Sequence, residues 1–204
     1  ASLIGPDILV YNVEYIVKEP KSASYVSWHQ DLTYWGFDND DQVSMWLALS
    51  SASAESGCMR MIPGSHAAGR VGHEKTVDEN NVLFQGQTVK QVNEDDAILC
   101  ALNPGEASFH HGWTLHASTP NKSNDRRIGL NVQYLKPSMK QLKHDGESAV
   151  LVRGVDLHHH FLEDQPAKID LDPAALRNFR VLNRLHREIA ADDSIPDQTG
   201  CAGA

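Results

Sequence analysis

Cysteine is scarce in this chain and long apolar runs are missing. The three cysteines, Cys58, Cys100 and Cys201, lie far apart and form no C-x-x-C pair, which argues against a disulfide framework and against a thiolate zinc site. No stretch reaches the roughly 18 apolar residues that a membrane-crossing helix needs. No basic stretch leads into an apolar segment and a small-residue cleavage site, so no signal peptide is visible and the default expectation is a cytoplasmic protein. Clustered positive charge is also missing: 18 Lys and Arg stand against 27 Asp and Glu, for a net charge of -9. Nucleic-acid affinity comes largely from phosphate neutralisation by grouped cations, so neither nucleic acid nor membrane is an expected partner, and a small molecule is.

What is present is enough apolar material for a core, 41% of 204 residues, in a length that fits one domain. Short apolar runs at 8–17, 43–49, 59–62, 97–102 and 128–135 are separated by Gly, Pro and Asn. In one of them Val43, Met45, Leu47 and Leu49 alternate with period two. These features predict a mainly β protein, a sandwich or barrel-like double sheet. The polar segment 66–91 is long enough to pass over the mouth of a site and reads as a lid. Near the end Asp172 can cap, and Pro173 can start, a helix carrying Leu176, Phe179, Leu182, Leu185 and Ile189 on one side. After Ala191 periodicity is lost, which predicts a frayed tail.

Eleven histidines are the most informative feature of the composition, because imidazole is the commonest metal ligand. In SWHQDLTYWGF, residues 27–37, His29 and Asp31 are two apart. On a strand they share a face while Gln30 points the other way. A nitrogen and an oxygen ligand would thus arrive together, and a second histidine would complete a two-His-one-carboxylate site of the kind that holds Fe(II) with open positions. The stretch SFHHGWTLHASTPNKSNDRRIGLNVQYL offers His110, His111 and His116 for that role. His116 is favoured because Ser118, a turn rich in Pro, Asn, Ser and Asp, and then Arg126 and Arg127 follow it, a layout that returns an arginine beside the histidine. A guanidinium placed there can clamp a carboxylate. Of His110 and His111, one reads as a core or supporting residue and the other as facing solvent.

Several stretches in order make the chain resemble the phytanoyl-CoA dioxygenase family of Fe(II)/2-oxoglutarate-dependent oxygenases, over most of its length. They are VKEP at 17–20, WHQDLTYWGF at 28–37, MWLAL at 45–49, ESGCMRMIPGSHAAG at 55–69 and FHHGWTLHASTPNKSNDRR at 109–127. The resemblance implies a double-stranded β-helix with flanking helices, including a C-terminal one, forming one domain over 1–204 that lacks part of the family's N-terminal helical segment. It implies His29, Asp31 and His116 as iron ligands. Arg127, assisted by Ser118, would bind the distal carboxylate of 2-oxoglutarate, Trp46 would wall that pocket, and Lys18 is a further candidate for co-substrate contact. Period two sets Arg126 and Arg127 on opposite faces, so only one can reach the pocket.

The activity implied is hydroxylation of an aliphatic C–H of a small metabolite, with O2 and 2-oxoglutarate consumed and succinate and CO2 released. Tyr34, Trp35, His110 and His111 are candidate substrate contacts. Halogenating relatives carry a small residue where Asp31 stands, so halogenation is disfavoured. The alternative is a cupin-like metal-binding isomerase or binding protein that does not use 2-oxoglutarate and has no need of Arg127 as a carboxylate clamp.

Overall fold

β-branched and aromatic residues in period-two runs favour pleated strands over helix, and the computed structural model, which describes residues 1–192, is built mostly of them. The strands are β1 (Ile8–Lys18), β2 (Val26–His29), β3 (Gln42–Ala48), β4 (Met59–Met61), β5 (Ile98–Cys100), β6 (Ala107–His110), β7 (His116–Ser118), β8 (Arg127–Leu135), β9 (Ser148–Arg153) and β10 (Leu162–Glu163). One α-helix is described, α1 (Pro173–Ala191), and the tail expected beyond it lies, from residue 193 on, outside the described residues.

The chain divides into two compact units. The larger comprises Asn12–Asp31 and Gln42–Tyr134 and holds two sheets, ordered β1-β8-β3-β6 and β2-β7-β4-β5. In the first, β3 and β6 run antiparallel with Ser44 opposite His110 and Trp46 opposite Ser108. In the second, β7 lies between β2 and β4, so that His116 faces His29 on one side and Met61 on the other. The smaller unit comprises Ala1–Tyr11, Leu32–Asp41 and the described residues from Leu135 onward. Here Tyr11, Trp35, Phe37 and Phe161 form an edge-to-face aromatic cluster. The buried Glu147 carboxylate accepts from Tyr11 Oη at 2.6 Å and Gln141 Nε2 at 2.7 Å, and lies 3.2 Å from His186 Nε2 on α1.

The structure corrects two expectations. On β3 the deeper phase is that of Gln42, Ser44, Trp46 and Ala48, at most 4% exposed; of Val43, Met45 and Leu47 only Val43 is buried, and Leu49, just past the strand, is 45% exposed. Ordinary patterning puts apolar side chains inward; here the inward face is mixed, polar at Gln42 and Ser44 and apolar at Trp46 and Ala48, which join a core cluster with Met59 and Met61. On α1 the Asp172 side chain does accept from the Ala174 amide at 2.8 Å, but only Leu185 and Ile189 of the expected stripe are buried. Phe179 is 62% exposed, because packing reaches only the C-terminal half of the helix.

Gly129 on β8 shows how closely the inner face is filled. A Cβ placed there would lie 1.9 Å from the Trp46 indole, so the ring occupies the space that glycine leaves. Gly129→Ala is expected to cost about 1–3 kcal/mol of stability by overpacking. Gly72→Ala, where a Cβ meets nothing within 4 Å, is expected to stay within about 0.5 kcal/mol. Denaturant unfolding of the two variants measures the difference.

Candidate metal centre

Strand β2 ends at His29, and Asp31 opens a short 3₁₀ turn (Asp31–Thr33) instead of continuing the strand. The carboxylate therefore reaches the imidazole of His29 through a bend rather than through strict strand alternation. The third group comes from β7, whose His116 is the cross-strand partner of His29. Asp31 Oδ1 lies 3.4 Å from His29 Nε2 and 3.4 Å from His116 Nε2. All three ligand atoms fall within 4.8 Å of one another, and all three residues are buried. Among the described residues this is the one group of its kind.

Both histidines are oriented by their own backbone. His29 Nδ1 is 2.9 Å from the Ser27 carbonyl, and His116 Nδ1 is 2.9 Å from the Thr114 carbonyl. A carbonyl can only accept, so each Nδ1 carries a proton and Nε2 is the nitrogen turned to the centre, a lone-pair donor once it is deprotonated. Two buried Nε2 lone pairs and one carboxylate oxygen, converging from one side, fit a divalent transition metal of the two-His-one-carboxylate type.

The electrostatics agree with a charged, held carboxylate. Burial by itself would push the Asp31 carboxyl up, but the charge of His116 and the imidazoles of His110 and His29 outweigh it and hold the group well below the usual carboxylate range. Burial lowers His29 and His110, whereas on His116 the charge of Asp31 overcomes burial and raises the imidazole. The second carboxylate oxygen, Oδ2, accepts from Ser44 Oγ at 3.0 Å and lies 3.4 Å from His110 Nε2. Ser44 in turn accepts from Gln42 Nε2 at 2.8 Å.

Near the triad in sequence, but at the far end of β7, are two buried cations. Arg127 is 1% exposed and Lys18 4%. Lys18 Nζ donates to Ser118 Oγ at 2.8 Å and to the Thr119 carbonyl. Burial, reinforced by the charge of Arg127, lowers Lys18 to about 7. Arg127 donates through Nη1 to the Gly57 carbonyl at 2.6 Å and stacks its guanidinium 5.1 Å from the Trp46 ring. Its Nε is buried with no hydrogen-bond partner among the described residues, and burial lowers it to about 10, which still leaves it protonated at neutral pH. Gly57 is held at φ +73°, where a Cβ would lie 2.2 Å from the Thr119 carbonyl oxygen, so its carbonyl can be aimed at Arg127 only without a side chain. Arg126 points the other way, donating from Nε to Glu19 at 2.9 Å on the exposed surface.

The other candidates separate. His110 is buried against Asp31. His111 accepts from the Trp113 amide at 3.1 Å, with its ring 5.4 Å from that of His66. Trp35 belongs to the aromatic cluster of the smaller unit, as described above, and Tyr34 lies in the same unit.

Sequence reasoning passed over Ser44, Gln42 and Gln30. The signal for Ser44 and Gln42 was their shared phase with Trp46. Gln30, fully buried, donates from Nε2 to the Gly69 and Trp113 carbonyls at 2.7 and 2.8 Å and accepts from the Val71 amide at 2.9 Å. Its own amide donates to His73 Nε2 at 3.1 Å. The 66–91 segment is accordingly stapled at 69–73 to the residue between the two ligands, and Val89 packs with Trp28 and Ala117. It is a fixed strap over this stretch rather than a loose lid. Gln30→Leu is expected to orphan these buried groups, destabilise the fold by about 2–4 kcal/mol, and speed tryptic cleavage at the exposed Arg70. An unchanged cleavage rate would mean that the strap is held elsewhere.

A mostly β jelly roll carrying a two-His-one-carboxylate centre and a buried pair of cations defines a class, the 2-oxoglutarate oxygenase fold. Comparison with known proteins sharpens this. Residues 1–129 match the family model for phytanoyl-CoA dioxygenase (PhyH), and the chain belongs to that family. The chain is 31% identical over 137 residues to a probable alpha-ketoglutarate-dependent hypophosphite dioxygenase of Stutzerimonas stutzeri, covering 64% of this chain and 46% of that protein. It is 27% identical over 135 residues to the peroxisomal phytanoyl-CoA dioxygenase of Homo sapiens, covering 64% and 40%. The chain thus spans under half the length of these curated relatives. Among solved structures, the non-heme monooxygenase ThoJ superposes with TM-score 0.79 at 30% identity, over 93% of this chain and 69% of that one. CytC3 with Fe(II) and alpha-ketoglutarate shares the fold at TM-score 0.58 and 22% identity, over 80% of this chain and 63% of that one. Among the described residues no helix is long and apolar enough to cross a membrane.

Proposed function

We propose that this protein is an Fe(II)- and 2-oxoglutarate-dependent oxygenase that hydroxylates an aliphatic C–H of a small metabolite. His29, Asp31 and His116 would hold the iron, and Arg127, Lys18 and Ser118 the co-substrate. The observation that carries the reading is the pairing of the buried triad with two buried cations, Lys18 and Arg127, that have no carboxylate partner in the hydrogen bonds and ion pairs described above. Burying a charge without a counter-charge is costly, and a doubly charged carboxylate ligand is what such a pair is suited to bind.

Iron bound there with 2-oxoglutarate and O2 supplies the oxidising power, the co-substrate leaving as succinate and CO2. The protein's own contribution is placement. The Ser27 and Thr114 carbonyls fix the tautomers of His29 and His116. Ser44 holds one carboxylate oxygen of Asp31 so that the other faces the imidazoles. Arg127, braced by the Gly57 carbonyl and the Trp46 ring, keeps its Nε available to a carboxylate, while Arg126 is engaged by Glu19 outside. The names of the relatives span a small phosphorus oxyanion and a CoA thioester; the acidic balance of this chain counts against the phosphates of CoA.

Anaerobic Fe(II) and 2-oxoglutarate are expected to give a weak visible charge-transfer band that is lost in Asp31→Ala and His116→Ala. A folded wild-type protein that gives no band contradicts the assignment. Arg127→Ala should weaken 2-oxoglutarate binding by roughly 2–5 kcal/mol, whereas Arg126→Ala should leave it nearly unchanged in the same titration.

Lys18 adds a pH dependence. Its amine titrates near 7 in the free protein, and a dianionic ligand favours the charged form, so affinity for 2-oxoglutarate should fall as pH rises from about 7 to 9 as the proton is lost. Lys18→Met should bind more weakly and flatten that profile, as read by titration calorimetry. A wild-type affinity independent of pH over this window would remove Lys18 from the co-substrate site.

A further inference from the structure

The inner face of the larger unit's first sheet carries more polarity than the triad and the cation pair use. Gln42, Ser44 and Trp46 share one phase of β3. Across from them on β6 stand Ser108 and His110. On β8, Asn131 and Gln133 continue the phase of Gly129, whose missing side chain is replaced by the Trp46 ring. Ser44 ties this face to Asp31.

Along it, Gln42 Oε1, Ser108 Oγ, His110 Nδ1, Asn131 Oδ1 and Gln133 Oε1 are buried without a hydrogen-bond partner among the described residues, while His110 Nε2 faces Asp31 Oδ2 at 3.4 Å. Gln42, Gln133 and His110 are 1%, 4% and 6% exposed. Buried polar groups are normally satisfied, and a cluster of exceptions on one surface calls for a ligand or water to complete it. For Gln42 the direction is set by proton counting: the single Ser44 proton goes to Asp31, so Ser44 must accept from Gln42 Nε2, and Oε1 is left as an open acceptor.

We propose that this floor is the substrate-recognition surface, and that the substrate is a small polar molecule carrying N–H or O–H groups beside the carbon that is oxidised, not an alkyl or acyl chain. The inference rests on the oxygenase reading above and deepens it. An alkyl chain laid on this face would leave the four open oxygens and His110 Nδ1 desolvated without a partner. A surface built to hydrogen-bond its ligand discriminates strongly against a ligand that cannot reciprocate. The burial of Gln42 and Ser44 on the phase shared with Trp46 follows: at that end of β3 the fold gives up apolar burial on the face that meets the substrate.

The test has two arms. Without ligand, Asn131→Leu, Gln133→Met and Ser108→Ala each remove an orphaned polar group at similar or smaller size, and each is expected to raise Tm, by about 2–6 °C for the larger two. In the second arm, the anaerobic protein loaded with Fe(II) and 2-oxoglutarate is titrated with L-glutamine, glucose, cytidine, octanoate and octanoyl-CoA, and paramagnetic broadening of the probe's NMR lines is read. At least one polar probe should be broadened, the broadening should drop at least tenfold in affinity in the Asn131→Leu/Gln133→Met protein, and neither octanoyl probe should compete. A fall in Tm for all three variants means the groups serve the fold, and tighter binding of octanoate or octanoyl-CoA than of every polar probe means the surface takes a chain; either result overturns the inference. The visible band of the wild-type protein, formed without any probe, tests the oxygenase reading separately, and the Tm arm needs no iron.

Discussion

One buried carboxylate organises the site. Asp31 gives one oxygen to the gap between the His29 and His116 imidazoles and the other to Ser44 and His110. A buried anion is tolerated only where polar partners surround it, and supplying them brings together β2, β3, β6 and β7. The requirement dictates which residues can stand on the facing phase of β3, and through Ser44 it extends to Gln42. The polarity of the inner face therefore begins at a single charge and spreads outward strand by strand.

A second constraint acts at the other end of β7. Lys18 and Arg127 are buried like charges: burial lowers the proton affinity of both, and the charge of Arg127 lowers that of Lys18 further. Trp46 links the two regions. Its phase on β3 is that of Ser44, which faces the carboxylate, while its ring lies under the Arg127 guanidinium and fills the space left by Gly129. The indole thus packs the sheet and supports the guanidinium at once.

Rigidity comes from residues that touch neither charge cluster. Gln30 stands between the two ligands in sequence yet turns away from them, and its amide joins the start of the strap to the segment that leads into His116. The backbone carbonyls of Ser27 and Thr114 set both imidazoles without help from another side chain. These contacts hold the three groups of the candidate centre in place, as a metal site with open positions would require.

The histidine–aspartate pair, the arginine pair and most of the strands were legible in the sequence from local patterns: a histidine and an aspartate two apart, a turn-rich return to Arg126 and Arg127, apolar runs punctuated by Gly, Pro and Asn. The capped start of α1 was legible in the same way, since Asp172 and Pro173 act within one turn. That His116 stands beside the histidine–aspartate pair is decided by strand pairing across the sheet. What only the tertiary structure decided is which phase of a strand faces inward and what lies opposite it. Hydropathy favoured Val43, Met45, Leu47 and Leu49, but long-range pairing put Gln42, Ser44 and Trp46 against the carboxylate and the guanidinium, and it left Leu176 and Phe179 of the helix uncovered. Periodicity records that two faces differ; the partner that makes one of them the inside is supplied by residues distant in the chain, which no local pattern can name.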